Sequence, residues 1–269
     1  MFIAHGRSSI PARFPINAQP EWFNQKVHRM KFCPICSQSF PNFLPLPNSY
    51  FEIFHRMNVP YSLDEFETLN LGQYTCPHCQ ASDRDRLYGL FLKAYVQQRA
   101  GKTLRLLDIA PAPRLSQFLK SLPGVQYRSA DLMSPLADDK VDITQMDCYP
   151  DDSFDLIVCS HVLEHVPDDA KAIRELKRVL APQGAAILMV PILLSLEKTD
   201  EDPSVTDVNE RWRRFGQDDH IRMYERSDFL KRLRAGGFQV KSLDVATFGR
   251  DIFRKCGITE QSVLYIGQH

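Results

Sequence analysis

The stretch that most constrains the fold of this chain covers residues 153–166, with the sequence SFDLIVCSHVLEHV. Its first half, residues 154–159, is a short apolar and β-branched run, typical of a strand buried on both faces. The chain then becomes polar at Ser160 and His161 and continues with helical spacing. Because open α/β sheets bind ligands at the carboxyl ends of their strands, we expect chemistry at these two residues.

Apolar runs of the same kind alternate with helical patterns along the second part of the chain. The remaining strands are predicted at residues 104–110, 125–130, 140–143, 185–190, 238–246 and 262–267. Helices are predicted at residues 115–122, 168–180 and 227–235, the last capped by Ser227. This alternation predicts an α/β fold with a doubly wound, mostly parallel, seven-stranded sheet. Residues 192–226 are charged and irregular, which is typical of a lid or a substrate loop.

Two Cys-Pro-x-Cys pairs precede the sheet, and they consist of Cys33 and Cys36, and of Cys76 and Cys79. A Cys-x-x-Cys turn directs two thiolates at one metal ion, and two such turns complete a tetrahedral site. The pairs therefore predict a structural Zn²⁺ ion in a small N-terminal module. A redox dithiol is the alternative, but a redox motif normally occurs once, at the start of a helix.

The chain divides into three parts on these patterns. Residues 1–30 form an arm, whose aromatic residues Phe14, Trp22 and Phe23 are free to pack on the body. Residues 31–100 form the zinc-binding module and a linker helix over residues 86–99, capped by Ser82 or Asp83. Residues 101–269 form the main domain with its insertion at 192–226. Arg84 and Arg86 begin the linker helix, either as solvated charges or as contacts to an anion.

Composition limits the partners of the chain. Lys and Arg number 33 and Asp and Glu also number 33, so no overall charge attracts nucleic acid or an anionic membrane. The first 100 residues contain ten basic and seven acidic side chains. This excess of positive charge is small for a module that would bind phosphate groups. No apolar run approaches the roughly 20 residues of a membrane span, and no secretory signal is evident. We expect a cytoplasmic protein without a membrane partner; the oligomeric state is left open.

Four segments resemble the class I S-adenosylmethionine-dependent methyltransferases, in particular the methyltransferase type 11 branch. They are LLDIAP at 106–111, SADL at 129–132, DDSFDLIVCSHVLEHV at 151–166 and RELKRVLAPQGAAILMVP at 174–191. The cysteine pairs, followed by ASDRDRL and later by FGQDDHIRMY, further resemble a bacterial subgroup with an N-terminal zinc module. The resemblance implies a Rossmann-like fold, S-adenosyl-L-methionine as cofactor and methyl transfer as the activity.

The resemblance also implies which residues bind the cofactor. Asp131 would accept the ribose hydroxyls, as acids do in dinucleotide folds, and Leu132 would lie against the adenine. Asp142 and Ile143 would contact the adenine ring, although Asp147 competes for the first role. The expected set is Asp108, Ala110, Asp131, Leu132, Asp142, Ile143, Ser160 and His161. The first loop of this family is usually glycine-rich, whereas residues 108–113 here contain no glycine.

An oxygen or neutral nitrogen acceptor needs a base to remove its proton. His220 is the preferred candidate with Asp219 as its orienting acid, and a structural histidine is the alternative. His161 and His165 are further candidates, and with Glu164 they also have the side chains of a metal site, although packing is favoured there. Substrate contacts are expected from Arg222, His165 and Tyr224. For Arg222 the alternative is an ion pair with the acidic insertion, which contains Glu197, Asp200, Glu201, Asp202 and Asp207.

The leading function is methyl transfer to an oxygen or nitrogen atom of a small molecule or a sugar. The first alternative is an RNA base methyltransferase that grips nucleic acid with the zinc module. A basic face formed by Arg84, Arg86, Lys93 and Arg99 would favour RNA, whereas a pocket under the insertion would favour a small molecule. The second alternative is a non-catalytic binding protein, because the first loop lacks glycine.

Overall fold

The protein is described as a computed structural model that covers residues 30–269. The predicted arm with Phe14, Trp22 and Phe23 lies outside the described residues. Within residues 30–269, none of the helices is both long enough and apolar enough to cross a membrane.

The N-terminal module begins with a short antiparallel hairpin and one helix. The hairpin consists of β1 (Lys31–Phe32) and β2 (Ser39–Phe40), and the helix is α1 (Asn48–Arg56). No side chain of α1 is fully buried, so this helix lies on the surface of the module. A small apolar cluster around Phe40 and Phe43 surrounds the cysteines instead.

Helix α2 (Asp83–Gln97) joins the module to the sheet. Ser82 caps the helix, because the Ser82 side chain accepts a hydrogen bond from the Asp85 amide. Ser82 is one of the two residues that were predicted as the cap. Its apolar face, including Leu87 and Phe91, is buried in the same core as the sheet. The predicted linker helix thus packs as a part of the main domain, and the boundary at residue 100 stays a prediction.

The main domain continues with alternating strands and helices. They are β3 (Leu104–Ile109), α3 (Pro113–Ser121), β4 (Val125–Asp131), β5 (Asp139–Lys140), β6 (Phe154–Ser160), α4 (Asp169–Val179) and β7 (Leu180–Met189). The second half contains β8 (Asp200–Glu201), α5 (Val208–Phe215), β9 (Arg222–Met223), α6 (Arg226–Ala235), β10 (Gln239–Leu243), α7 (Val245–Phe248), α8 (Arg250–Cys256) and β11 (Leu264–Gln268).

Seven of these strands form one sheet in the order β10-β11-β7-β6-β3-β4-β5. Strands β3 to β7 pair in parallel, whereas β11 pairs antiparallel with β7 and β10. The chain runs outward from β3 to β5 and then returns to β6 on the other side of β3. Ligands of open α/β sheets bind at such a reversal, at the carboxyl ends of the strands. The predicted doubly wound, mostly parallel, seven-stranded sheet is therefore confirmed.

Several details of the second half differ from the predictions. The strand predicted at 238–246 ends at residue 243, because α7 begins at Val245. Residues 192–226 are not irregular throughout, because α5 and the small sheet of β8 and β9 lie within them. Helix α5 is amphipathic, but the density of its charges hid the helical period. Helix α6 is capped by Glu225 and not by Ser227: the Glu225 carboxylate accepts hydrogen bonds from the Ser227 and Asp228 amides. A carboxylate placed there also suits the positive end of the helix dipole.

Candidate functional site

The four cysteines of the two pairs lie together, as the spacing predicts. The Sγ atoms of Cys33 and Cys79 are 3.7 Å apart, and those of Cys36 and Cys76 are 3.8 Å apart. Four sulfur atoms at about 2.3 Å from a zinc ion would be separated by about 3.8 Å at the corners of a tetrahedron. The cluster therefore has the dimensions of a tetrahedral zinc site.

The carboxyl ends of β3 and β4 hold the first group of predicted cofactor residues. Asp108 is buried and accepts hydrogen bonds from the Ser116 and Tyr127 hydroxyls, both at 2.8 Å. Burial raises the pKa of Asp108 to about 6, against the opposing effect of these hydrogen bonds. Its two partners lie on α3 and β4, so the carboxylate links these elements to β3, and its role towards the first loop and the cofactor stays a prediction.

Ala110 follows β3 with φ of +51°, in the left-handed region that favours glycine. Its amide donates to the Ala130 carbonyl at 2.8 Å, which holds the loop against the end of β4. The loop thus has a glycine-like backbone without a glycine. The strain of such a residue costs about 1 kcal/mol or more.

Asp131 and Asp142 lie at the same edge. One carboxylate oxygen of Asp131 accepts from the Met133 and Ser134 amides, at 2.6 and 2.7 Å, which leaves its second oxygen without these contacts. Leu132 is exposed beside it. Asp142 is exposed and accepts from the Thr144 amide at 2.8 Å, while Ile143 is buried. The cofactor roles of these four residues stay predictions.

Ser160 and His161 close the end of β6. The Ser160 hydroxyl is 2.9 Å from that of Tyr88, and His161 has φ of +57°. The Nδ1 atom of His161 is 3.2 Å from Oε1 of Glu164, and its Nε2 atom contacts the Arg84 guanidinium. Burial, and then the charge of Arg84, lower the pKa of His161 well below its ordinary value. His161 is thus neutral and lies between the cofactor edge and the space beside it.

That space is a cavity of about 290 Å³ between the N-terminal module, the end of the sheet and the insertion, and we call it the acceptor cavity. The module contributes Tyr50, Phe54, Phe66 and Tyr74, and the insertion contributes Trp212 and Phe215. The polar end consists of Arg84, His161, Glu164, His165 and His220. Sequence patterns did not reveal the aromatic wall, because its members are distant in the chain and α1 and α5 were not predicted.

Glu164 is the most unusual residue of the polar end. Its side chain is fully buried, and neither carboxylate oxygen has a hydrogen-bond partner among residues 30–269. Burial raises its pKa to about 8. The sequence signal for a special role of Glu164 was the presence of an acid in the apolar turn VLEHV. The pattern alone favoured a packing role for this turn.

The Nε2 atom of His220 lies 3.9 Å from Oε1 of Glu164. Its Nδ1 atom donates to the Phe215 carbonyl at 2.9 Å, and burial lowers its pKa to about 4. The predicted orienting role of Asp219 for His220 is wrong. Asp219 is exposed and instead lies 3.3 Å from Nδ1 of His165, while Gln217 donates to it at 2.8 Å.

Arg222 and Tyr224 do not have free groups for a substrate, which corrects the prediction for both. The Arg222 side chain is fully buried, and its donors bind Glu201 and the carbonyls of residues 163, 166 and 167. The Tyr224 hydroxyl donates to Asp169 at 2.7 Å. Both residues stabilise the turn after β6 and hold the insertion against it.

The four basic residues that were considered as an RNA-binding face all contact other residues of the protein. Arg86 is fully buried, and Arg84 contacts His161. Lys93 donates to the Ser37 hydroxyl at 2.9 Å, and Arg99 stacks on Tyr95 at 3.6 Å from the ring centroid. Neither proposed role of Arg86, as a solvated charge or as an anion contact, fits its position.

Comparisons with known proteins show the family of the chain. Residues 81–243 match the sequence profile of the family described as "Methyltransferase domain". A stretch of 74 residues is 34% identical to the uncharacterized methyltransferase YcgJ of Bacillus subtilis (strain 168), and covers 28% of this chain and 27% of the relative. The match thus spans about a quarter of the length of that curated relative.

Solved structures with a similar chain path include two methyltransferases. The S-adenosylmethionine-dependent methyltransferase of Archaeoglobus fulgidus is 15% identical, with a TM-score of 0.45, over 70% of this chain and 95% of its own. The YcgJ structure of Bacillus subtilis is 20% identical, with a TM-score of 0.38, over 62% of this chain and 77% of its own.

Proposed function

The chain belongs to the class I S-adenosylmethionine-dependent methyltransferases, and from this premise we propose that it methylates an oxygen or nitrogen atom of a small molecule or sugar held in the acceptor cavity. The observation that carries the proposal is the cavity itself. It has a volume of about 290 Å³, and His161 forms part of its wall directly after β6. An acceptor held there would lie beside the edge where the family binds its cofactor.

The lining of the cavity supports a small acceptor with a flat or apolar body. Its wall is rich in aromatic rings, and pockets of a few hundred cubic ångströms enclose small ligands. Its titratable groups gather at one end, around Glu164. An acceptor would thus place its apolar part among the rings and its reacting atom near the histidines.

The cofactor supplies an activated methyl group on a sulfonium, and the protein mainly aligns the reacting atoms. We propose that the free oxygen of Asp131 accepts the ribose hydroxyls and that Leu132 lies against the adenine. Asp142 and Ile143 would contact the adenine edge, and Asp108 and Ala110 would position the loop. Ser160 and His161 would pass the methionine end.

His220 is the residue that we propose as the base for the acceptor. Its Nδ1 proton is engaged by the Phe215 carbonyl, so the Nε2 atom has a free lone pair. With a pKa of about 4, the ring is neutral at physiological pH and its Nε2 atom is open to a proton, but a pKa this far below the operating pH makes it a weak base. His165 would contact the substrate from the neighbouring wall.

The two alternatives have less support. RNA binding needs exposed basic side chains, and those weighed for this role have internal partners. A non-catalytic role was based on the missing glycine, yet Ala110 adopts the conformation that glycine would supply. We further propose that Cys33, Cys36, Cys76 and Cys79 hold a structural Zn²⁺ ion.

Incubation with a pool of small metabolites and an isotopically labelled methyl donor tests the proposal. We expect label in one or a few small products, and a several-fold higher KM for the acceptor in Trp212→Ala, which removes part of the wall. Val208→Ala is the matched control, because Val208 is exposed on the same helix and does not line the cavity. Label confined to RNA, or equal KM values in the two variants, would contradict the proposal.

A further inference from the structure

Glu164 cannot be explained as part of the packing alone. A fully buried carboxyl group normally has hydrogen-bond partners, because burying an unpaired one costs several kcal/mol by order of magnitude. Here neither oxygen forms a hydrogen bond with residues 30–269, although Nδ1 of His161 lies 3.2 Å from Oε1, and the side chain forms part of the wall of the acceptor cavity. The position therefore favours a further group beyond those that residues 30–269 supply.

Two histidines complete the surroundings expected of a metal ion. One ligand atom from each of Glu164, His165 and His220 lies within 4.8 Å of the others, and the Nε2 atom of His220 is 3.9 Å from Oε1 of Glu164. Ligand atoms bound at about 2.1 Å are separated by about 3 to 4 Å. Small side-chain rotations would thus bring the three atoms onto one ion.

Both histidines also have the outer contacts that metal ligands have. A ligating histidine almost always donates its other ring N–H to a carbonyl or carboxylate, which fixes the tautomer and the ring orientation. His220 donates from Nδ1 to the Phe215 carbonyl at 2.9 Å. The Nδ1 atom of His165 lies 3.3 Å from the carboxylate of Asp219. The position of Asp219 beside His165 is explained by this role.

The charged groups around Glu164 are Arg84, Arg222 and Asp219. Arg222 is bound to Glu201, so its charge is largely compensated. Arg84 contacts His161, which has its second ring nitrogen near Glu164 and is thereby a neighbour of the site and not one of its ligands. The carboxylates of Glu164 and Asp219 would balance a divalent ion beside Arg84.

We propose that Glu164, His165 and His220 bind one divalent transition-metal ion, distinct from the ion of the four cysteines. Two imidazoles and one carboxylate suit such ions. The ion would be bound at the polar end of the acceptor cavity, with positions left open for an oxygen atom of the acceptor. This last point rests on the proposed function; the binding of the ion does not.

An acceptor hydroxyl coordinated there would lose its proton to water more readily, because a divalent ion lowers the pKa of a bound hydroxyl group. The oxygen would then attack the methyl carbon, and the electron pair of the broken C–S bond would remain on the sulfur. With the ion bound, the Nε2 atom of His220 would be a ligand, so the base role proposed above would apply only to the chain without this ion.

Titration with Co²⁺ tests the site on the full chain with Zn²⁺ already bound to the cysteines, without cofactor or acceptor. We expect one further equivalent to bind, with visible d–d absorption and without thiolate charge-transfer bands. Glu164→Gln and His220→Asn should each raise the dissociation constant by about 100-fold or more, since outer contacts alone are worth 10 to 100-fold. His55→Asn, on the surface of α1, is the matched control and should bind as the unchanged protein does.

Thermal melting of each variant checks that the fold is retained, and His165→Asn serves in place of a variant that does not fold. Binding of less than one further equivalent, or equal affinity in the ligand variants and the control, would overturn the inference. If Co²⁺ binds as expected and no labelled product forms, the proposed function fails and the metal site stands. If labelled product forms and Co²⁺ does not bind, the metal site fails and the function stands.

Discussion

The guanidinium of Arg86 lies 3.7 Å from the centroid of the Phe43 ring and joins the N-terminal module to the end of the main domain. All of its nitrogen atoms donate to backbone carbonyls. The acceptors are the carbonyls of Gln73, Tyr74, Ala81, Cys256 and Gly257, at 2.5 to 3.0 Å. Arg86 thereby fixes the module that contributes four of the six aromatic side chains in the wall of the acceptor cavity.

Replacing Arg86 with Met should lower the free energy of unfolding by about 3 to 5 kcal/mol. The methionine would keep much of the apolar contact but leave several buried carbonyls without donors. Urea denaturation measures the change. Arg250→Met is the control, because Arg250 forms an exposed ion pair with Glu260 and should change the value by less than about 0.5 kcal/mol. Similar values for the two variants would refute the structural role of Arg86.

Replacing Cys76 with Ser should abolish retention of the structural zinc ion, because one of four thiolate ligands is lost. Metal analysis after dialysis against a mild chelator should find about one zinc ion per unchanged chain and little in the variant. Proteolysis should then become faster within residues 31–80, since metal binding and folding are coupled in such modules. Cys148→Ser, at an exposed cysteine, should retain the ion. An unchanged chain that folds without any metal would contradict the zinc proposal.

Replacing Ala110 with Gly should leave the free energy of unfolding unchanged or raise it by up to about 1 kcal/mol. Glycine adopts the positive φ of this position without strain, which offsets its greater freedom in the unfolded chain. The matched control is Ala94→Gly, because Ala94 lies inside helix α2, where glycine should cost about 1 kcal/mol. A clear loss of stability in Ala110→Gly would show that the left-handed conformation is not strained.

Asp108 should make the unfolding free energy depend on pH. Its folded-state pKa of about 6 lies above the ordinary value of 3.8, so the native state binds the extra proton between these pH values. This contribution to stability is full below about pH 4 and is lost as pH rises through about 6. Over two units it amounts to about 3 kcal/mol at most.

Between pH 5 and pH 7, the free energy of unfolding of Asp108→Asn should therefore rise by about 1 kcal/mol relative to that of the unchanged protein. Urea denaturation at each pH measures this difference. Asp138→Asn is the control. Hydrogen bonds from the hydroxyl and then the amide of Ser129 hold the pKa of Asp138 below 3.8, so its pH window lies lower. Equal pH profiles for the two variants would contradict the assigned pKa of Asp108.

The sheet was predictable because each of these strands can be recognised from the pattern of its own residues. The run at residues 154–159 is apolar except for Asp155, and an acid or polar residue lies at or next to the carboxyl end of β3, β4 and β6, namely Asp108, Asp131 and Ser160. The four cysteines were predictable for the same reason, since their spacing already contains the geometry of the ligands.

The acceptor cavity was not predictable, because it depends on side chains that meet only in the folded chain. Arginine is usually a surface residue. Arg86 and Arg222 are buried instead, because they donate hydrogen bonds to backbone carbonyls that are far away in the sequence. Asp219 lies next to His220 in the chain, yet its carboxylate lies beside His165. Trp212 and Tyr50 come from two helices whose periods were hidden by charges and by short length.

Calorimetry with S-adenosyl-L-methionine tests the central claim most directly, namely that the edge formed by β3, β4 and β6 binds the methyl donor. We predict one binding site per chain and an affinity at least 10-fold weaker in Asp131→Asn, which keeps an oxygen for the loop amides but removes the charge. Asp151→Asn, at an exposed acid paired with Arg178, should bind as the unchanged protein does. No heat of binding at millimolar cofactor, or equal affinity in both variants, would contradict the account.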